Sequence, residues 1–243
     1  MKNFPARTPL ALITGASQGL GAHLARELAL DGFRVLVHHR RNRTGALRLV
    51  SQIRSLGGEA EVVQADLARP AQIDRLSAYL RKKFGRLDLL INNAGTYRPT
   101  PLLRTSPGDW REGLESTATA TFHTIRGTLS LFSRSGGRII NLGDSACDRL
   151  SARKMSPGYH LGKIGVLLLT RSLAPELIRK KITVNCISPG YLENSIQLPK
   201  PSSLPGGRVV SLDEVLAAVR YLISTEASQV TGTNLILSGG WNL

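Results

Sequence analysis

The most constraining feature of the sequence is the regular alternation of short apolar runs with longer amphipathic segments. Such runs fit the strands of a parallel sheet buried on both faces, and the segments between them fit the helices that cover it. The pattern predicts a single-domain α/β fold, a doubly wound seven-stranded parallel sheet with helices on both faces. The predicted strands are residues 10–13, 35–37, 60–64, 87–91, 138–142, 182–187 and 234–237.

The chain of 243 residues is expected to form one domain (1–243), because no Pro-, Gly- or Ser-rich linker divides it. Residues 1–8 are expected to be a flexible N-terminus. Residues 190–210 include a Pro-rich stretch and are expected to form a loop over the substrate, with Gly206 and Gly207 as its hinge.

The composition narrows the classes of partner. A formal net charge of +15 attracts anionic ligands. The basic residues are scattered and aromatic residues make up only 5%, so nucleic-acid binding is not expected. No apolar run is long enough for a transmembrane helix, and the sequence predicts a cytoplasmic protein with no membrane contact. Cys147 and Cys186 lack metal-ligand spacing, so we expect reduced thiols and no metal site.

Three glycines follow the first predicted strand and open the first predicted helix. Small residues at this place let the backbone approach a pyrophosphate held by the helix N-terminus. A glycine triplet alone also fits a plain turn, but the preceding strand and the following helix favour phosphate binding. The predicted contacts are Gly15, Ser17, Gln18, Gly19, Leu20 and Gly21.

Tyr159 and Lys163 are four residues apart in a predicted helix and so lie on one face of it. A lysine ammonium near a phenol favours the ionised phenol. We therefore expect Tyr159 to shuttle a proton with the help of Lys163.

The motifs together resemble those of the short-chain dehydrogenase/reductase family nearly end to end. They are residues 14–21, residues 92–95, Tyr159 with Lys163, and residues 188–190. The resemblance implies a Rossmann-type fold, an oxidoreductase acting on a small-molecule substrate with a nicotinamide cofactor, and a homotetramer or homodimer. It places further cofactor contacts at Asp66, Leu67, Asn93, Ala94, Gly95, Pro189 and Gly190, and substrate contacts at Tyr191, Leu192 and Asn194. For Asp66 a helix N-cap is the alternative.

The end of the second predicted strand indicates the form of the cofactor. An NAD-dependent enzyme usually carries a carboxylate there, but residues 37–42 read Val-His-His-Arg-Arg-Asn. Arg40 or Arg41 would pair with a 2'-phosphate, and His39 with Arg40 resembles the NADPH-phosphate segment of pteridine reductases. NADPH is therefore the expected cofactor; the alternative is that these arginines only solvate a surface turn.

Asp144 stands where the family usually carries its catalytic serine. A carboxylate would repel the alkoxide formed when a ketone is reduced, whereas it would bind the N–H groups of a cationic heterocycle. Pteridine reductases show this substitution, so the main prediction is reduction of a dihydropterin or dihydrofolate C=N bond with Asp144, Tyr159 and Lys163. The spacing from Asp144 to Tyr159 is longer than the family usual. The alternative is therefore a carbonyl reductase of the 3-oxoacyl-thioester type, with Ser145 as the hydroxyl.

Two further departures concern helices. Thr117 aligns with the family's proton-relay asparagine, and it keeps that role if the helix is locally distorted, because its hydroxyl can bond back to a preceding carbonyl. Ser116 beside it is a second candidate, and two exposed hydroxyls without a role are the alternative. Pro175 is expected to kink or end its helix.

With the usual serine and asparagine both replaced, a non-catalytic NADP-binding protein is a third interpretation.

Overall fold

A computed structural model describes residues 8–242. All seven predicted strands are present in it, with ends that differ from the prediction by no more than two residues. The strands are β1 (Leu10–Ile13), β2 (Arg34–His39), β3 (Glu59–Gln64), β4 (Leu89–Asn92), β5 (Gly137–Leu142), β6 (Ile182–Pro189) and β7 (Asn234–Leu237). Residues 1–7, most of the predicted flexible N-terminus, lie outside the described residues, and Thr8 is exposed.

The strands form one parallel sheet in the order β3-β2-β1-β4-β5-β6-β7. The order reverses between β1 and β4. At such a reversal the connections diverge to opposite faces and leave a crevice at the carboxyl ends of the strands, which is where open α/β sheets bind ligands. The predicted Rossmann-type fold is confirmed.

Helices cover both faces of the sheet. They are α1 (Gly19–Leu30), α2 (Arg43–Ser55), α3 (Pro70–Lys83), α4 (Pro107–Leu114), α5 (Ala120–Thr128), α6 (Pro157–Leu177) and α7 (Leu212–Ile223). One core cluster joins the sheet to α1, α2 and α7, and the other joins it to α3 and α5 and to the end of α6. Cys147 and Cys186 are buried and free, as expected. No described helix has the length and apolarity to cross a membrane.

Pro175 does not end α6, which continues to Leu177. Pro175 lies in the last turn, and both Pro175 and Arg171, whose carbonyl would accept the missing N–H, are exposed. Water can solvate that carbonyl, so the proline costs little where it stands.

Candidate active site

The turn between β1 and α1 packs against the end of β4. Gly15 and Gly19 have φ values of 63° and 59°, which glycine adopts without strain. A Cβ on Gly15 would lie 2.9 Å from the Cα of Ala94, so a larger residue would separate the two segments. Thr14 Oγ1 accepts hydrogen bonds from the backbone N–H groups of Asn93 and Ala94, at 3.0 Å each. The two predicted cofactor segments therefore form one hydrogen-bonded floor.

His38, which the sequence analysis did not assign to the site, supports this floor from β2. The backbone N–H of Gly15 donates to its Nδ1 at 3.1 Å, and its Nε2 lies 3.0 Å from the carbonyl oxygen of Ala65. Burial lowers the pKa of His38 to about 4. The ring is therefore neutral and carries its proton on Nε2, which donates to Ala65.

A cavity of about 320 Å³ opens above the floor. The predicted cofactor residues that line it are Gly15, Gln18, Gly19, Leu20, Gly21, Arg40, Asp66, Leu67, Asn93, Ala94 and Gly95. Asp66 is not a helix N-cap, because its Oδ1 accepts from Ala68 N at 3.1 Å and α3 begins only at Pro70. A glycine floor at a helix N-terminus, with a carboxylate and an arginine nearby, fits a nicotinamide dinucleotide.

The other predicted cofactor residues lie outside this lining. His39 is 2% exposed, and burial followed by the charge of Arg43 lowers its pKa. Its contact with the cofactor phosphate stays a prediction. Arg41 is exposed and Ser17 is half-buried in the glycine turn. Pro189 and Gly190 end β6, where Pro189 O accepts from Ser145 N at 3.1 Å.

Arg40 is held by an ion pair that the sequence did not indicate. Its Nη2 lies 2.7 Å from Oε1 of Glu112 in α4. The other oxygen of Glu112 lies 3.2 Å from Nη2 of Arg98, and Arg98 Nη1 lies 3.4 Å from Asp109. Glu112 therefore joins the arginine of the cofactor cleft to an arginine in the segment beside Tyr159.

Tyr159 and Lys163 lie on the same face of α6. Lys163 Nζ is 5.4 Å from the centre of the Tyr159 ring and donates to Leu142 O at 2.6 Å. Contrary to the expectation from spacing, the pKa of Tyr159 is raised, chiefly by burial and then by the negative charge of Asp144. Burial also lowers the pKa of Lys163. The phenol keeps its proton at neutral pH, as a proton donor must.

Asp144 lies at the same end of the sheet as Tyr159, between two basic side chains. Its carboxylate oxygens are 3.6 Å from Arg153 Nη2 and 3.6 Å from His160 Nδ1. Ser145 is covered instead: it is 1% exposed, and its Oγ has no hydrogen-bond partner among residues 8–242. Asp144 is thus the accessible group and Ser145 the buried one.

Thr117 lies in a π-helical turn, Glu115–Thr119, between α4 and α5. Its Oγ1 donates back to Gly113 O at 2.6 Å, so the predicted local distortion is confirmed. A Cβ on Gly162 of α6 would overlap Thr117 Oγ1, so the glycine allows the two helices to touch at this point. The hydroxyl of Ser116 accepts a hydrogen bond from Thr96 N at 3.0 Å and so already has a partner.

The segment after β6 brings one predicted substrate residue to the cofactor side. Asn194 Nδ2 lies 3.2 Å from the place a Cβ would take on Gly19, so it lies over the glycine turn. Asn194 therefore lies beside the glycine turn, and its contact with the substrate stays a prediction. Tyr191 packs against Trp241 with ring centres 4.6 Å apart, and Leu192 N donates to Ser195 Oγ at 3.0 Å.

Several side chains at the site were missed by sequence reasoning: His38, Tyr97, Glu112, Arg153 and His160. The Tyr97 ring lies edge-on to Tyr159 at 5.1 Å between centres. Only two of them carried a usable signal: His38 is a polar residue inside an apolar strand, and His160 is adjacent to Tyr159 in the predicted helix. Among the described residues, no group of His, Cys, Asp and Glu side chains could hold a metal ion.

Comparison with known sequences finds relatives of one enzyme family. The family described as short chain dehydrogenase matches residues 9–203. The chain is 34% identical over 238 residues to a 3-oxoacyl-[acyl-carrier-protein] reductase of Synechocystis sp., covering 95% of this chain and 96% of the relative. It is also 34% identical over 244 residues to 3beta-hydroxysteroid dehydrogenase 1 of Eggerthella lenta, covering 96% and 93%. These relatives do not support the predicted pteridine reductase subtype.

Solved structures share the fold over nearly the whole chain. A blue fluorescent protein from a metagenomic library, in complex with NADPH, has a TM-score of 0.88 at 28% identity and covers 97% of this chain and 98% of its own. A gluconate 5-dehydrogenase from Burkholderia cenocepacia J2315, in complex with NADP and tartrate, has the same TM-score and identity, with coverages of 98% and 96%.

Proposed function

Because the chain belongs to the short-chain dehydrogenase family, we propose that it is an NADPH-dependent oxidoreductase that reduces a small carbonyl substrate of the 3-oxoacyl-thioester type. The observation that carries the proposal is the position of Tyr159 and Lys163. They lie on one face of α6 and share the end of the sheet with the cleft that the predicted cofactor residues line. Cofactor binding alone requires no buried phenol and lysine at this place, which argues against a non-catalytic role.

NADPH would lie with its pyrophosphate over the glycine turn and its 2'-phosphate at Arg40. Two solved relatives that hold NADPH or NADP support this form of the cofactor. When bound, it supplies a hydride to the substrate. Asp66 lies in the same cleft as an acceptor for the adenine amino group.

The chemistry left to the protein is proton delivery. As the carbonyl carbon is reduced, its oxygen gains negative charge, and Tyr159 donates its phenolic proton to that oxygen and regains one from solvent. Lys163, held by Leu142 O, fixes a positive charge below the phenol and stabilises the transient phenolate. Thr117 lies in the π turn beside α6, and we propose that its backbone carbonyl holds a water that returns the proton.

The negative charge of Asp144 does not by itself exclude a carbonyl substrate. Arg153 and His160 lie on either side of it, and a neighbouring guanidinium compensates much of its repulsion toward an alkoxide. Ser145, with a free hydroxyl, is the proposed donor to the carbonyl oxygen. The similarity to a 3-oxoacyl reductase and to a hydroxysteroid dehydrogenase favours a carbonyl or alcohol substrate over a C=N bond.

A second candidate, reduction of a pterin or folate C=N bond, is favoured by one observation. Asp144 is accessible and its charge acts on Tyr159, whereas Ser145 is covered and reaches a ligand only if the segment after β5 moves. A carboxylate at this place would bind the N–H groups of a heterocycle. For either substrate the protein is expected to act as a homodimer or homotetramer, and the cytoplasmic location stays a prediction.

The first prediction concerns the proton donor. Tyr159→Phe should lower kcat for reduction by about a hundredfold or more, because general acid catalysis contributes that much. NADPH affinity, measured by fluorescence titration, should change little because the phenol is not needed for binding. The assay follows NADPH oxidation with a 3-oxoacyl thioester, and NADH serves as the cofactor control. Turnover retained by the variant would remove Tyr159 from this role.

The second prediction separates the two substrates. Asp144→Asn and Ser145→Ala are each assayed with a 3-oxoacyl thioester and with a dihydropterin. For the proposed carbonyl reductase, Ser145→Ala should lower kcat/KM for the thioester about tenfold or more, by loss of one donor to the developing charge. Asp144→Asn should be mild. The reverse order, with turnover of the pterin, would contradict the thioester proposal and support the C=N substrate.

A further inference from the structure

We propose that Glu112 is an internal competitor for the 2'-phosphate of the cofactor, which must displace it from Arg40. This inference rests on the proposed function, in which Arg40 receives the 2'-phosphate. It adds Glu112, a residue of α4, to the residues that determine cofactor specificity. The sequence at the end of the second strand gives no sign of this contribution.

The first step is the geometry of the pair. Arg40 Nη2 and Glu112 Oε1 are 2.7 Å apart, the distance of a strong charge-assisted hydrogen bond. The two side chains are 30% and 21% exposed, so solvent screens the pair only in part. A guanidinium binds carboxylate and phosphate oxygens through the same N–H groups. Glu112 therefore binds an N–H group of Arg40 that a phosphate would also need.

The second step is the position of the pair in the cleft. Arg40 lines the cavity together with Gln18 of the glycine turn and Asp66. Its carbonyl oxygen accepts from Gln64 Nε2 at 3.1 Å. An arginine side chain has several rotatable bonds, so its guanidinium can change partner while this backbone bond is kept. A phosphate placed at this guanidinium would also meet the negative charge of Glu112, so the two anions exclude each other.

The third step is the alternative partner of Glu112. Its second oxygen is 3.2 Å from Arg98, which also pairs with Asp109 at 3.4 Å. A Glu112 displaced from Arg40 thus keeps a cation beside it and is not left buried without a partner. This arrangement makes exchange feasible, whereas an isolated partly buried pair would resist being broken. It also connects the cofactor cleft to the segment beside Tyr159.

The test uses nucleotide fragments, so it needs no substrate and no turnover. The Kd values of adenosine 2',5'-bisphosphate and of 5'-AMP are measured by calorimetry for the wild type, Glu112→Gln and Asp109→Asn. Glu112→Gln should bind the bisphosphate about three- to tenfold more tightly, the range expected from loss of one partly exposed ion pair, with the Kd of 5'-AMP unchanged. Asp109→Asn also removes a carboxylate near Arg98 but does not touch Arg40, so it should change neither Kd.

A double variant tests whether the gain in affinity depends on Arg40. When Arg40→Gln is added to Glu112→Gln, the gain for the bisphosphate should disappear, because there is no guanidinium left to release. A Glu112→Gln protein that binds the bisphosphate equally or more weakly than the wild type would overturn the inference, since Glu112 would then be neutral or would brace Arg40 for the phosphate. A wild type that binds neither nucleotide would instead overturn the proposed function itself.

Discussion

At the scale of the residue, His38 connects the glycine turn to the core. It accepts from Gly15 N and donates to Ala65 O, so one neutral imidazole joins the ends of β1 and β3 below the cleft. Protonation at Nδ1 would turn the acceptor into a donor and place two N–H groups against each other. The low pKa therefore reflects a ring whose charged form is disfavoured by burial and cannot keep its hydrogen bond to Gly15.

His38 makes stability depend on pH in a predictable direction. Its pKa is about 4 when folded against 6.5 for the ordinary side chain. The unfolded chain thus binds more protons in this window, and stability falls as pH drops from 6.5 toward 4. The loss due to His38 should be about 2 kcal/mol at pH 5 relative to pH 7. His38→Gln should remove that part of the loss, as measured by urea unfolding at the two pH values.

His123→Gln is the matched control for this measurement. The His123 ring is only partly buried on α5, and its Nδ1 contacts the carbonyl of Leu67. Its variant should keep the pH dependence of the wild type. If His38→Gln and His123→Gln lose stability equally between pH 7 and pH 5, the assigned role of His38 is wrong.

At the scale of the element, the π turn explains how α4 and α5 bring functional atoms to α6. The π turn bonds residue i to residue i+5 and so holds one residue more than an α-helical turn. Within it, Thr117 Oγ1 donates to Gly113 O at 2.6 Å. Gly162 removes the side chain that would otherwise hold α6 away. Thr117 and Lys163 therefore come to the same region of the molecule from different helices.

The elements were predictable from sequence because their signals are local. Buried parallel strands are continuous apolar runs, and the local distortion on which the role of Thr117 depends was anticipated from its own hydroxyl. The ion pairs were not predictable. Arg40 and Glu112 are 72 residues apart, and their contact depends on the tertiary placement of α4. Asp144, Arg153 and His160 meet only because the segment between β5 and α6 folds back on itself.

At the scale of the whole molecule, two faces expose apolar side chains in elements that the proposed assembly would use. Phe122, Leu161 and Leu168 on α5 and α6 are 44%, 46% and 65% exposed, and Tyr221 on α7 is 49% exposed. β7 is the last strand of the sheet and pairs only with β6 in the described part of the chain. Exposed apolar surface of this kind is typical of faces that bind another protein.

The net charge of +15 sets the conditions under which assembly should be measured. Like-charged subunits repel at long range, but at about 0.1 M salt this repulsion is screened beyond roughly 10 Å. Burial of the apolar faces then decides association, because it is short-ranged and insensitive to salt. We therefore expect a homodimer or homotetramer at physiological salt and a smaller species at very low salt.

Leu168→Glu tests which face is used. A carboxylate on α6 would be buried against the partner and should shift the wild-type oligomer to a smaller species by light scattering after size exclusion, since an unpaired buried charge costs several kcal/mol. Leu56→Glu is the control: Leu56 is 57% exposed at the C-terminal end of α2, a helix that carries none of those side chains, and the change should leave the mass unchanged. A monomeric wild type, or loss of the oligomer in both variants, would contradict assembly through α6. Loss in Leu168→Glu alone would show that the helix carrying Tyr159 and Lys163 is also the helix through which two subunits meet.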